Sequence, residues 1–318
     1  MKIVYMGTPD FAVPALNELI KHHEVLAVFT QPDRPVGRGY KLTPSPVKTV
    51  ALNHGIEVLQ PTTLKLKKMN PCEETKKIRN HLKNMNADIF VVAAYGQILP
   101  KAVLEMPSLA CINIHASLLP KYRGASPIHA ALLNGDTETG ITIMHMDIGI
   151  DTGDMILKKS LSIEPEERLP SLHDRLADLG AKCVIEAINQ LENGTATRTP
   201  QNHNESSHAP MISKTDGHIN WNQPTQQIIN RLRALDPWPG SYSIYDNNPL
   251  KIWAMEACLI PSNATPGTII SADATDGLRV KTLDGVVNIT EVQPGGKKRM
   301  TTDNYLRGHK IMVGLELK

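Results

Sequence analysis

Asparagine at position 113 and histidine at 115 interrupt an otherwise apolar run in the stretch CINIHASLLPKYRGASPI. If the run is a strand, side chains two apart share a face, so the carboxamide and the imidazole project side by side. Downstream, ITIMHM leads into MDIGIDTGDM, a loop that carries Asp147, Asp151 and Asp154. A carboxamide, an imidazole and a carboxylate together suit acyl transfer. Asn113 and a protonated His115 can donate to a developing oxyanion, while one of the three aspartates orients the ring and favours its protonated form. No nucleophilic side chain is required when the acceptor brings its own amine. A lone histidine on an apolar strand is ordinarily a hydrogen-bonded core residue, so the inference rests on its neighbours. Those are Asn113 on the same face, the abrupt exit through Pro120 and Gly124, and the acidic loop. In open α/β sheets ligands sit beyond the carboxyl ends of the strands, where such loops are expected to converge.

Competing chemistries fit less well. Ser117 lies in HASLL and not in a GxSxG elbow, which argues against a serine hydrolase. Cys111, His115, His129 and His145 match no zinc spacing, and no metal is expected. The turn MGTPDF holds only Gly7, too little for a nicotinamide fingerprint, and reads as a tight strand-to-helix turn lining a substrate cleft. The segment QPDRPVGRGYKLTPSPVK, residues 31 to 48, sets Arg34, Arg38, Lys41 and Lys48 against the single acid Asp33. Its four prolines and two glycines predict no regular element. Such a loop is commonly a solvated connector, yet a basic insertion of this kind also suits contact with backbone phosphates.

These residues need a scaffold. KIVYMG, VLAVFT, ADIFVVAA, CINIH and ITIMHM alternate with helical patterns such as FAVPALNELIKH and RLPSLHDRLADLGAKCVIEAINQLENG. That alternation predicts a parallel-rich sheet with crossover helices. TATRTPQNHNESSHAPMIS has no periodicity and reads as an exposed linker. Beyond it, one helix precedes GSYSIYD, LKIWAMEACLI, GTIISAD, GLRVKTLDG and VVNITEVQP, the turn-punctuated pattern of a small antiparallel barrel. The expected organisation is a Rossmann-like α/β domain over 1–193, a linker over 194–211 and an OB-like barrel domain over 212–318.

Composition bounds the possible partners. A length of 318 residues fits two domains. Aromatic residues make up 4%, too few for base-stacking platforms, and Lys+Arg exceed Asp+Glu only by 34 to 32, so nucleic-acid contact must come from local basic patches. Cys72, Cys111, Cys183 and Cys258 form no CxxC pair and read as buried, inert thiols of a reducing cytosol. No apolar run approaches a membrane span, so a soluble, cytoplasmic protein is expected.

At these residues the chain resembles the methionyl-tRNA formyltransferase family, within the folate-dependent formyltransferases. The resemblance runs over nearly the whole chain: GTPDFA, QPDRPVGRG, PSPVK, AYGQILP, INIHASLLPKYRGASPI, TGITIMHMDIGIDTGDM, DPWPGS and the late GGKKRM. It implies formyl transfer from 10-formyltetrahydrofolate to the amino group of methionyl initiator tRNA, for translation initiation. It gives Asn113 and His115 the formyl oxygen and Asp151 the histidine. It places folate against Tyr95, Gly96, Gln97 and Ile98, with Ser117, Leu118, Leu119, Pro120 and Asp147 at the same site. It sends Arg38 and Lys41 towards the acceptor stem and assigns phosphate contacts to Lys297, Lys298 and Arg299. The segment from Asn113 to Asp151 is shared with relatives that formylate a small amine, such as an amino sugar nucleotide or glycinamide ribonucleotide. Acceptor choice therefore rests on the basic loop and the second domain. A monomer is expected.

Overall fold

The computed structural model describes residues 1–36, 41–66 and 72–318. By its internal packing the chain divides into two units. The first comprises Met1–Gly124, Glu138–Ser162 and His173–His208; the second comprises Ala125–Thr137, Ile163–Leu172 and Ala209–Lys318.

In the first unit the β-rich runs form one seven-stranded sheet. Its strands are β1 Lys2–Gly7, β2 Glu24–Phe29, β3 Glu57–Leu59, β4 Ile89–Ala93, β5 Ala110–His115, β6 Glu138–His145 and β7 Met155–Ser162. Their spatial order is β7-β6-β5-β4-β1-β2-β3. Pairings from β3 through to β5 are parallel, whereas β6 and β7 run antiparallel. Central strands read as continuous apolar runs because helices cover the sheet; all of Ile89–Ala93 is buried. Val4, Met6, Phe29, Phe90 and Val92 form one core cluster, and each such side chain contributes roughly 1.5–3 kcal/mol through burial. Gly7 permits the tight turn after β1, since a Cβ there would lie 2.8 Å from that of Ala12 and 3.1 Å from the carbonyl oxygen of Ala93.

Two sequence expectations need correction. Segment 31–48 does contain regular structure: Arg34–Val36 pairs antiparallel with Lys41–Thr43, with Pro35 opposite Leu42. Proline is tolerated in a two-stranded ribbon, which has edges on both sides. Pro46 opens the helix Pro46–Asn53, whose first turn is capped by Ser45 Oγ accepting from Lys48 N at 3.1 Å. Arg38 lies outside the described residues, and Lys41 is placed by its backbone pairing with Val36. Nor are all the thiols buried: Cys111 and Cys183 are, but Cys72 is exposed and Cys258 half-buried. Cys72 sits just ahead of the helix Glu73–Asn84, on the solvent side of an amphipathic element.

The second unit carries the antiparallel sheet, with β8 Ser241–Tyr245, β9 Asn248–Cys258, β10 Ile269–Asp273, β11 Gly277–Lys281 and β12 Val286–Pro294. The order is β8-β9-β12-β11-β10. Its two edges are joined by residues 315–318. Leu315 O accepts from Ile269 N at 2.8 Å beside β10, and Lys318 exchanges backbone hydrogen bonds with Ile244 of β8 at 2.6 and 3.0 Å. Closure satisfies edge groups that an open sheet would expose. The interior holds Trp221, Ile228, Leu232, Leu250, Ile252 and Val287, with Ile228 and Leu232 supplied by the helix Thr225–Leu235. Among the described residues no helix is long and apolar enough to cross a membrane.

Candidate active site

Asn113 and His115 share one face of β5, and Asp151 reaches both. Asn113 Nδ2 lies 3.4 Å from Asp151 Oδ1, and His115 Nδ1 lies 3.6 Å from Asp151 Oδ2. The same Oδ2 accepts the backbone N–H of Gly124 at 2.8 Å. On its other side, His115 Nε2 donates to the carbonyl oxygen of Tyr122 at 2.9 Å. The ring thus has a carbonyl acceptor at Nε2 and a carboxylate oxygen near Nδ1, just beyond hydrogen-bond length. Asn113 spends one amide hydrogen on a long bond to Asp151, which leaves the second available.

The strand direction differs from expectation. β6 runs antiparallel to β5, with His145 opposite Ile112. The acidic loop therefore leaves the sheet on the amino-terminal side of Asn113 and folds back until Asp151 stands level with the pair. Local backbone geometry makes that return possible: Asp151 adopts φ +53°, the left-handed region that an aspartate tolerates better than most residues. Gly153 has no room for a side chain, because a Cβ would fall 1.9 Å from the carbonyl oxygen of His145.

The loop's three acids divide the work. Asp147 closes its own turn, accepting from Gly149 N at 3.0 Å and Thr152 Oγ1 at 2.7 Å. Asp154 pairs with Arg198 at 3.3 Å. Asp151 alone of the three faces β5. Behind the loop, burial pushes the His145 imidazole down, and the Arg198 charge adds to that shift while Asp154 opposes it. Burial also pushes the Cys111 thiol, two residues before Asn113 on the same strand, up to about 12.

Sequence reasoning missed Gln201. Its Nε2 donates to the carbonyl oxygens of Asp151 at 2.9 Å and Gly153 at 2.8 Å, while its Oε1 accepts from Arg123 Nε at 3.0 Å and Nη2 at 2.8 Å. One buried amide thus fastens the acidic loop to the exit of β5. It lies in TRTPQNHNES, whose polar composition signals only a linker, so nothing local could have marked it.

The remaining positions sort by what their side chains touch. Tyr95 is buried, and its carbonyl oxygen accepts from Thr8 Oγ1 at 3.0 Å and Gln31 Nε2 at 3.2 Å. Gly96 takes φ +82°, and Gln97 Nε2 donates to Pro61 O at 2.7 Å. Ile98 and Ile148 are each 77% exposed and Ile150 57%, which leaves large apolar side chains in solvent on both segments. Ser117 Oγ donates to Lys121 O at 2.6 Å, and its own carbonyl accepts from Thr142 at 2.7 Å. Leu119 packs with Met144 and Met155. Leu118 and Pro120 are half-buried.

In the second unit Lys297 and Lys298 are exposed on the turn after β12. Arg299 differs from them. Its guanidinium pairs with Glu291, lies 3.9 Å from Asp236 and sits 5.2 Å over the Trp253 ring. The indole N–H in turn donates to Gln293 at 3.0 Å.

Comparison with known proteins agrees with this architecture. Residues 1–188 match the family profile described as formyl transferase, and residues 211–310 match that of the formyl transferase C-terminal domain. A methionyl-tRNA formyltransferase of Alkaliphilus oremlandii is 47% identical over 315 residues, covering 99% of this chain and 98% of that protein. Among solved structures, an N-formyltransferase from Helicobacter canadensis, in complex with folinic acid and dTDP-3-aminofucose, superposes with a TM-score of 0.63. It is 22% identical, with 91% of this chain and 99% of that one covered. A variant of HypX from Aquifex aeolicus gives a TM-score of 0.63 at 17% identity, covering 96% of this chain, which spans about half (48%) of that longer protein. At these identities the solved structures speak for the fold alone. Matching across both domains, and near half identity from end to end, this chain belongs to the formyl transferase family.

Proposed function

We propose that the protein transfers the formyl group of 10-formyltetrahydrofolate to the amino group of methionyl initiator tRNA, with Asn113, His115 and Asp151 as its catalytic residues. The observation that carries this reading is the meeting of an amide, an imidazole and a carboxylate from two segments within 3.4 and 3.6 Å. The methionine nitrogen attacks the formyl carbon and forms the new C–N bond as the carbonyl π electrons pass to oxygen; collapse of that oxyanion breaks the bond to folate N10, and the proton that the amine loses balances the one N10 gains. Asn113 donates its second amide hydrogen to the developing oxyanion. The ring of His115 faces the same charge; a hydrogen on its Nδ1, held loosely by Asp151, is one that a substrate oxygen can draw upon. Donors fixed before reaction are worth more than donors that must reorganise.

Folate fits the backbone of Tyr95–Ile98 and the loop from Asp147 to Ile150. A flat heterocycle needs main-chain donors and acceptors beside apolar cover, and Ile98, Ile148 and Ile150 offer such cover. Ser117 and Leu119 shape that region from within; Leu118 and Pro120 stand beside them. On the tRNA side, Arg38 and Lys41 belong to the acceptor-stem arm, and Lys297 and Lys298 contact phosphates, with Arg299 holding their turn. Residues 1–193 serve as the catalytic domain, 194–211 as linker and 212–318 as the tRNA-binding domain. The enzyme acts as a cytoplasmic monomer.

The test is a labelled formyl-transfer assay with methionylated initiator tRNA, methionylated elongator tRNA and small amines as acceptors. Preference for the initiator tRNA is the expected result. Equal or better use of an amino sugar nucleotide would overturn it.

A further inference from the structure

A chain of polar contacts in the first unit joins the root of the basic hairpin to the backbone at Tyr95, and neither chemistry nor core packing accounts for it. Asp33 immediately precedes the hairpin strand Arg34–Val36, and Lys48 lies in the helix that follows Lys41–Thr43. Lys48 Nζ donates to Asp33 Oδ2 at 2.7 Å and to Gln60 Oε1 at 2.8 Å. Gln60 Nε2 donates to Asp33 Oδ1 at 2.7 Å and to the carbonyl oxygen of Gln31 at 2.9 Å. The side chain of Gln31 then donates to Tyr95 O at 3.2 Å. The ion pair is sheltered, with Lys48 19% and Asp33 29% exposed, and its hydrogen bonds hold the Asp33 carboxyl below the usual carboxylate range.

We infer that Lys48 and Gln60 are positioning residues: together with Asp33 they clamp both ends of the basic hairpin at a fixed distance from the Tyr95–Ile98 segment. The inference rests on the tRNA formyltransferase reading. The hairpin delivers the acceptor, the Tyr95 segment holds the donor, and transfer requires the two to meet within bonding distance. A displacement of about 1 Å costs on the order of 100-fold in rate when it falls between reacting groups. Lys48 is basic yet commits two of its three N–H donors to Asp33 and Gln60, so its charge works chiefly on the hairpin and not on a phosphate.

The experiment compares Lys48→Met, Lys48→Arg and Gln60→Leu with the wild type. Each is assayed with methionylated initiator tRNA and with methionine methyl ester, which needs no hairpin, and folate affinity is titrated in parallel. Loss of hydrogen bonds to a charged group predicts about a tenfold fall in kcat/KM for tRNA in Lys48→Met and Gln60→Leu, carried mainly by kcat. Ester transfer and folate affinity stay at wild-type values, and Lys48→Arg recovers most of the tRNA activity. Parallel losses with tRNA and ester would reduce the clamp to a packing feature. A loss confined to Lys48→Met, with a shallower salt dependence of tRNA affinity, would make Lys48 a phosphate ligand and overturn the clamp. A wild type that formylates the ester but not the tRNA would sink the tRNA reading and the clamp's purpose with it.

Discussion

Replacing Asp151 by asparagine tests the proposed chemistry most directly, because asparagine keeps the shape and removes the charge. The left-handed backbone at φ +53° accepts asparagine nearly as well as aspartate, so the loop should hold. Its amide oxygen can still accept from Gly124 N, which leaves the new NH2 facing the NH2 of Asn113 in place of an acceptor. The larger loss is electrostatic. At the 3.6 Å separation of Nδ1 and Oδ2, with side chains 5% and 16% exposed, a unit positive charge carried by the ring would interact with the carboxylate by about 5 kcal/mol at an effective dielectric of about 20. Desolvation of both groups offsets part of that gain. What remains falls near the roughly 2.7–4 kcal/mol, or about 10²–10³ in rate, typical of removing one preorganised electrostatic contact from an active site. Asp151→Asn is therefore expected to lower kcat for methionyl initiator tRNA by about that factor while leaving KM and folate affinity near wild type. Steady-state transfer measured beside folate titration separates the effects. A folded variant with turnover within fivefold of wild type, or one whose folate affinity collapses together with kcat, would refute the assignment.

Other expectations follow from neighbouring contacts. Gln201→Ala strands the loop carbonyls of Asp151 and Gly153, at about 1–3 kcal/mol for the buried one; thermal melting and kcat should fall together, and unchanged melting would show that water replaces the amide. Lys297→Ala and Lys298→Ala should each weaken tRNA binding and lower the slope of log affinity against log salt by about one. Arg299→Ala should instead lower the melting temperature more than the salt slope, since its charge is already spent on Glu291 and Trp253; binding titrations at several salt concentrations distinguish the two. Thiol labelling should find Cys72 first, because backbone hydrogen bonding from Thr75 lowers its thiol. Cys111 and Cys183, pushed up by burial to about 12 and about 11, should react only after unfolding. Their sign is that of a raised folded-state value: the stability they contribute is complete below the ordinary thiol range and is lost as pH climbs towards those values. Rapid labelling of Cys111 in the native protein at neutral pH would contradict its burial.

How much of this was legible in the residues depended on whether the signal was local. Strands β1, β2, β4, β5 and β6 announce themselves as short apolar runs, whereas the three residues of β3 do not, and the pairing of Asn113 with His115 follows from the two-residue period of a strand. Asp151 was visible as a candidate because the acids of its loop are few, but its selection over Asp147 and Asp154 was not. That choice depends on which carboxylate the folded loop consumes internally. Pro35 and Pro46 misled in the opposite direction: proline abundance reads as irregular chain, although a two-stranded ribbon and a helix start both accommodate it.

Gln201 marks the limit. The chain alone determined the sheet-building pattern, the antiparallel second unit and the chemical types able to polarise a carbonyl, because these depend on side-chain periodicity and on functional groups that each residue carries with it. Only the tertiary structure decided the antiparallel entry of β6, the return of Asp151 over β5, the commitment of Arg299 to Glu291 and Trp253, and the bracket that Gln201 forms with Arg123. Those depend on distances between residues remote in sequence, and such distances arise only when packing and hydrogen-bond satisfaction are solved for the whole fold at once.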